Sequence, residues 1–449
     1  MLKTTRDHQP LRWKITLFSA VVPTAAVIAL LFGLVWDRSQ AESIKTKWTT
    51  AGQQVLLNGS PFFVKGVSYS PTPVGGSCNW SPYGDWFTPP WKDVHDRDLP
   101  RIRALGANSI RVYCWFAHEP DDWNYAAWKT LDFSGPKVKD HRGFLDKAWN
   151  GGNKPLYVLI NIPLHRERTF YPGQDPALIA DSRNVFEFYK KTAQWAAAKY
   201  GNHPAVMGFT VGNECNDVEA APSHEIFWER INEIARVLKA EAPDKLVVSC
   251  WFPHPSNHFV NYPRLLQNKN FDVIGVNLYD GDLSNAEFWN LFKETVLDTG
   301  FGRPFLVTEF GTPACRHVSK EQVVEDDETH KTQADWITTK WLDIVDHSVL
   351  KDPVNGIASG GYVFSWCDEW WKTNDIHGHG AIQDPGFVIQ SFLPGGWLDD
   401  EWFGLNTIKP YPSRPPRLPW EPDKHPAPYP PDIHTPRKAF HELQKLWNR

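Results

Sequence analysis

Two glutamates carry the most chemical information in this sequence. Glu214 closes the run GFTVGNECN, and Glu309 closes PFLVTEFGTP. Each run has the length and apolar make-up of a buried strand, so each carboxyl falls at a strand's C-terminal end. Two carboxyls facing one another can break a glycosidic bond. One protonates the leaving oxygen, and the other attacks or stabilises the cationic anomeric carbon. Their separation sets the stereochemistry, roughly 5–5.5 Å for retention and 6.5–9.5 Å for inversion. A lone Glu at a strand end is ordinarily a salt-bridge or surface residue. Two in this register, one preceded by Asn213 and the other followed by Phe310-Gly311, shift that balance towards catalysis.

Positioning such a pair requires a scaffold. Short apolar strands are predicted at Phe62–Val67, Asn108–Tyr113, Leu156–Ile162, Val206–Val211, Leu246–Ser249, Val273–Leu278, Phe305–Thr308 and Gly361–Ser365. Several are continuous β-rich runs (YVLINI, VIGVNL, FLVTEF), as expected of parallel strands buried on both faces. Helices are predicted between them at Lys92–Leu105, Ser182–Tyr200, Ser223–Ala242, Asn285–Thr299 and Thr329–His347, several stopped by Gly or Pro. Eight strands alternating with helices point to an α/β fold, a (β/α)8 TIM barrel with long loops. Its active site would lie at the C-terminal ends of the strands, with strands four and seven nearly opposite. A doubly wound sheet is the alternative, but no Gly-rich phosphate loop follows the first strand.

The composition agrees with a folded, exported enzyme. Lys+Arg number 47 against 52 Asp+Glu, giving a net charge of −5, which argues against a nucleic-acid partner. Some of the 23 Trp residues must be core, but so many also suit a cleft that stacks flat, partly apolar ligands, with sugars the common case. Ile15–Trp36 is an uncharged run that would be roughly 33 Å long as a helix, enough to cross a bilayer. Lys3, Arg6, Arg12 and Lys14 precede it, so the positive-inside bias keeps residues 1–14 cytoplasmic and sends the rest outside. The run reads as a transmembrane anchor. Ser39-Gln40-Ala41 leaves a cleaved signal sequence as the alternative. The expected order is therefore a cytoplasmic segment (1–14), an anchor or signal (15–36), a spacer (37–50), a catalytic barrel (51–408) and a Pro-rich strap with a terminal helix (409–449). The strap reads as extended polyproline laid along the barrel, closed by a helix with Phe440, Leu443 and Trp447 on one face.

Taken together, the motifs resemble those of clan A retaining glycoside hydrolases, especially families 2 and 5. The resemblance covers about residues 54–370. It rests on Gly212-Asn213-Glu214, Thr308-Glu309-Phe310-Gly311, the first strand Asn58–Val67 with the Tyr69-Ser70-Pro71 that follows it, Gly106–Tyr113, Asn277-Leu278-Tyr279 and Gly361–Trp366. It implies Glu214 as acid/base and Glu309 as nucleophile. Arg111, Asn213 and Tyr279 would support them, Trp366 would floor the sugar site, and Tyr69 would join the substrate-binding residues. Arg111 beside Glu309 would keep that carboxylate ionised while Glu214 stays protonated, and Asn213 would hold the sugar 2-hydroxyl. The partner implied is a β-linked oligo- or polysaccharide, with neither cofactor nor metal.

Other residues carry weaker expectations. His165 and Trp251 are candidate cleft residues, as are Trp86 and Trp115. The stretch Trp366–Lys372 with His377 and His379 is too polar and aromatic for a passive loop and reads as subsite-building. Five of the six cysteines follow strand ends and Cys78 lies in the first loop. Pairing neighbours around the barrel gives Cys78–Cys114, Cys215–Cys250 and Cys315–Cys367, and scattered buried thiols are the alternative. The leading functional reading is an anchored β-glycoside hydrolase with its catalytic domain outside the cytoplasm. A transglycosylase using the same site and a non-catalytic glycan-binding barrel are the alternatives.

Overall fold

In the computed structural model the described residues are 45–76, 85–117, 133–134, 138–164, 176–216, 225–252, 264–265, 267–279, 289–290, 292–293, 302–319, 322–372, 393, 397, 399–412 and 430–449. Thr46–Arg449 form one compact unit, and Met1–Lys45 are a separate one. The expected membrane run lies outside the described residues, as do Cys78, His165, His377, His379 and most of the helix expected over Asn285–Thr299. Among the described residues no helix is long and apolar enough to cross a membrane.

All eight expected barrel strands form, with ends displaced by a few residues. They are β4 (Val64–Tyr69), β5 (Ser109–Val112), β6 (Tyr157–Ile162), β7 (Val206–Val211), β8 (Leu246–Val248), β9 (Ile274–Asn277), β10 (Phe305–Phe310) and β13 (Ala358–Val363). They pair in parallel in the order β8-β7-β6-β5-β4-β13-β10-β9, and a short antiparallel pair, β11 (Arg316–Ser319) with β12 (Gln322–Val324), follows β10. Parallel bridges Val248↔Val273 and Trp251↔Val276 join the two outer strands, so the sheet closes on itself. Their interior faces pack Val64, Leu159, Met207, Leu246, Leu306 and Tyr362. An antiparallel ribbon, β1 (Trp48–Ala51), β2 (Gln54–Leu57) and β3 (Ser60–Pro61), stops the N-terminal end. Its Trp48 lies edge-on to Phe62 and Tyr157, each at 4.9 Å.

Helices α1 (Lys92–Leu105), α2 (Arg142–Trp149), α3 (Pro176–Tyr200), α4 (Glu225–Glu241) and α5 (Asp327–Asp346) cover the outside. The sequence pattern did not single out α2, which is short and has no side-chain cap at its start. α5 begins at a capping box, Asp326 with Thr329, two residues before the predicted start. α1 ends where expected, at Gly106 with φ +97°, where a Cβ would lie 2.9 Å from Trp447.

Of the expected Pro-rich strap only the two ends lie among the described residues. β14 (Asn406–Lys409) and β15 (Ile433–Pro436) form an antiparallel pair, while residues 413–429 lie outside the described ones. α6 (Lys438–Trp447) then packs on α1 and α5, which gives it the place of an eighth barrel helix. Trp447 meets Trp341 at 5.1 Å, and Lys65 Nζ donates to the Trp447 carbonyl at 2.6 Å. Arg437 anchors this segment. It is buried, forms a forked pair with Asp368 at 2.5 and 2.7 Å and also bonds Glu325.

Candidate active site

Strand alternation decides which polar residues meet inside the barrel. Along β5 and just past it, Ser109, Arg111 and Tyr113 point inward, while Ile110 and Val112 pack against the helices. Arg111 is fully buried, and its guanidinium is the hub of the site. Nη1 donates to Glu309 Oε1 at 2.6 Å, and Nη2 donates to Asn213 Oδ1 at 2.6 Å and to Cys250 Sγ at 3.0 Å. Burial alone would lower the pKa of Arg111, but neighbouring Cys250, Tyr113 and Glu309 outweigh it and raise it, so the cation is permanent.

Glu309 reaches this hub through a break in the alternation. Registers shift between Val307 and Glu309 against β9, and between Val307 and Phe310 against β13. The bulge turns both Thr308 and Glu309 into the barrel. Thr308 Oγ1 donates to Asn277 Oδ1 at 2.8 Å. Glu309 takes three side-chain donors: Arg111 and Tyr113 on Oε1 (2.6 and 2.8 Å), and Tyr279 on Oε2 at 2.6 Å. Burial raises the pKa of both tyrosines, with the charge of Glu309 adding to it, so both phenols stay protonated donors.

Glu214 is presented by a strained turn. Gly212 has φ +70°, and a Cβ there would meet Cys215 Sγ at 2.3 Å, so only glycine fits. Glu214 itself has φ +50°, a left-handed conformation costing about 1–3 kcal/mol, typical of functional sites. Its backbone N–H donates to the Cys250 carbonyl at 2.8 Å. Asn277 joins the two carboxylates' surroundings. Its Nδ2 donates to Glu214 Oε1 at 2.9 Å and to Asn213 Oδ1 at 3.1 Å, while its Oδ1 faces Arg111. Glu214 and Asn213 are half-buried, whereas Glu309 is 5% exposed. The cluster therefore opens on Glu214's side and is closed around Glu309.

Five of the expected site residues meet here: Arg111, Asn213, Glu214, Tyr279 and Glu309. Three do not. Tyr69 follows the inward-facing Ser68, so it points out to the helices. Its hydroxyl donates to Asp98 at 3.1 Å, and its ring stacks on Phe144. Trp251 follows the inward-facing Cys250 and packs against Phe227 and Trp228 of α4. Trp366 is 0% exposed and packs against Phe440 of α6 at 6.1 Å, so it cannot floor a sugar site. Phe364, two residues earlier, is the residue of this segment that meets the site, with its ring edge-on to Tyr113 and Tyr279 at 6.4 and 6.2 Å. Trp86 and Trp115 are also loop core, packed on Trp91 and stacked on His141. Tyr113, Asn277 and Thr308 join the site without having been expected there, although each stands at or beside a predicted strand end.

The cysteine pairing is corrected in two of three bridges. Cys215, Cys250, Cys315 and Cys367 are buried thiols outside any disulfide. The positions after strand ends alternate between inward and outward faces, so being neighbours in strand order does not bring the thiols together. Cys250 instead serves the site as a neutral thiol, pushed up to about 12 by burial, with Asn213 Oδ1 and Asn277 Oδ1 at 3.1 and 3.2 Å. Cys114 is disulfide-bonded, and its expected partner Cys78 lies outside the described residues. Among the described residues no group of His, Cys, Asp or Glu could hold a metal ion.

The family model for cellulase (glycosyl hydrolase family 5) matches residues 55–346. The chain is 24% identical over 280 residues to the 1,3-beta-glucanosyltransferase GAS4 of Saccharomyces cerevisiae, covering 60% of this chain and 52% of that protein. It thus spans about half the length of the curated relative it matches. Among solved structures, it resembles a GH2 beta-galacturonidase from Eisenbergiella tayi (TM-score 0.53, 15% identity, covering 90% of this chain and 54% of that one). It also resembles the beta-glucuronidase of Faecalibacterium prausnitzii (TM-score 0.51, 16% identity, covering 90% and 51%). At those identities the likeness is one of fold.

Proposed function

The chain belongs to glycosyl hydrolase family 5, and on that premise we propose that it is a retaining β-glycoside hydrolase acting by double displacement. Glu309 attacks the anomeric carbon as the glycosidic C–O bond breaks, and Glu214 gives its proton to the departing oxygen. Glu214, now a carboxylate, then takes a proton from water, whose oxygen displaces Glu309 and frees the sugar. The observation that carries this reading is the setting of Glu309. Three protonated donors converge on its buried carboxylate, which fixes the carboxylate's orientation and the direction of its attack. Glu214 stands on the open side, where an aglycone or water arrives. With Asn213 Oδ1 taken by Arg111 and Asn277, its amide nitrogen is the group that can meet the sugar 2-hydroxyl. The substrate class is a β-linked oligo- or polysaccharide.

A 2-deoxy-2-fluoro β-glycoside with a good leaving group tests this reading, because it forms the glycosyl-enzyme but releases it slowly. Peptide mapping is expected to find the sugar on the peptide containing Glu309. An adduct on any other carboxylate would overturn the assignment.

The second reading is transfer, in which a sugar hydroxyl replaces water in the second step. The likeness to a yeast glucanosyltransferase favours it. Product analysis separates the two: oligosaccharides longer than the substrate mean transfer, and only shorter ones mean hydrolysis. The proposed location is a membrane anchored by Ile15–Trp36 with the barrel outside the cytoplasm, divided at residues 14, 36, 50 and 408. The flanking charges and the disulfide at Cys114 support it. Protease added to intact cells should reach the barrel; protection of the whole chain would contradict this.

A further inference from the structure

The double-displacement chemistry leaves one wall of the site unused. Lys372 Nζ lies 4.3 Å from the ring centroid of Phe364, which in turn touches both tyrosines that hold Glu309. The ammonium is 3.0 Å from Glu369 Oε2 and 3.0 Å from Asp400 Oδ2. The Lys372 side chain is 14% exposed and that of Asp400 22%, so the pair is sheltered without being sealed. Glu309 is close enough for its charge to act on Lys372.

A structural tie between the segment after β13 and Asp400 accounts for only part of this. An ammonium carries three protons, and among the described residues Nζ has two acceptors. A sugar hydroxyl both donates and accepts, so it matches a paired cation and carboxylate. A uronic acid's carboxylate can only accept, so Lys372 alone could serve it, while Asp400 and Glu309 would repel it. Phe364 supplies an apolar face between this pair and the nucleophile.

We propose that Lys372 and Asp400 bind adjacent hydroxyls on the far edge of the sugar whose anomeric carbon faces Glu309, and that they select a neutral glycoside over a uronide. The proposal rests on the double-displacement reading above and names the substrate class of that same site.

The test uses the full chain with aryl β-glucoside, β-mannoside, β-galactoside and β-glucuronide, and the monodeoxy series of the best of these. Lys372→Met and Asp400→Asn are compared with wild type, with thermal unfolding as a check on folding. Hydrogen bonds to charged groups are worth about 1.5–3 kcal/mol, so each variant should lose about 10- to 100-fold in kcat/KM on the parent glycoside. The loss should fall below about 3-fold on the deoxy analogue that lacks the bound hydroxyl, because wild type has already lost that contact there. The glucuronide should be the poorest of the four substrates for wild type. Equal losses on every deoxy analogue in both variants, or a glucuronide preference lost in Lys372→Met, would overturn this proposal and leave the double-displacement reading standing. If wild type cleaves none of the glycosides, both readings fall.

Discussion

Thr308 and Glu309 are consecutive residues of one strand, yet both side chains face the barrel interior, Thr308 on Asn277 and Glu309 on Arg111. A regular strand would send one of them into the helical layer. The bulge that prevents this lets the strand fix Asn277 with one residue and present the carboxylate with the next. Thr308→Val keeps the shape and removes the hydroxyl. Chemical denaturation should show a loss of about 1–2 kcal/mol, together with a lower kcat as Asn277 loses its orientation. Unchanged stability and rate would mean that the bulge alone sets the geometry.

The two oxygens of Glu309 are held unequally. Oε1 has Arg111 and Tyr113, whereas Oε2 has Tyr279. Tyr279→Phe should therefore be the more damaging change, lowering kcat by about 10²-fold or more. Tyr113→Phe should cost less because Arg111 remains. Steady-state kinetics of the two variants decide the order, and a reversed order would contradict the donor assignment.

The C-terminal segment holds the wall of the site from behind. Arg437 pairs with Asp368, the neighbour of Glu369, which in turn pairs with Lys372. Arg437→Met would leave Asp368 buried without its partner, which typically costs about 3–5 kcal/mol. Thermal unfolding should report a large drop. A variant as stable as wild type would show that the segment is merely draped over the barrel.

Two buried acids give stability a pH dependence. Burial pushes Glu369 up to about 7 and Glu401 up to about 8, against 4.5 for an ordinary glutamate. For a carboxyl with a raised folded pKa, the unfolded chain ionises first. The stabilising difference is therefore complete below about pH 4.5 and is lost as pH rises through 7 and 8. Tm should fall as pH rises from about 4.5 to 8, and Glu401→Gln should flatten the fall. An identical slope in that variant would remove Glu401 from the account.

The barrel is legible because strands buried on both faces are largely apolar, several of them as continuous runs such as YVLINI and FLVTEF. The same property hid side-chain direction. Where both faces are apolar, no alternation in the sequence says whether Tyr69, Trp251 or Trp366 points into the barrel or out to the helices, and all three point out. The two glutamates are readable because their runs fix strand ends, and Arg111, Asn213 and Tyr279 through the resemblance of their motifs to those of retaining glycoside hydrolases. Phe364 was hidden two residues from the expected Trp366. The Arg437–Asp368 pair joins residues 69 positions apart, a contact no local pattern encodes.

The most direct test of the central claim is Glu309→Ala assayed with added azide on a substrate that wild type cleaves. The account predicts near-complete loss of activity, partly restored by azide, with an α-glycosyl azide as product. The small anion would enter from the face that Glu309 vacated and invert the β-linked carbon. Undiminished activity without azide, or recovery of a β-glycosyl azide, would contradict Glu309 as the nucleophile.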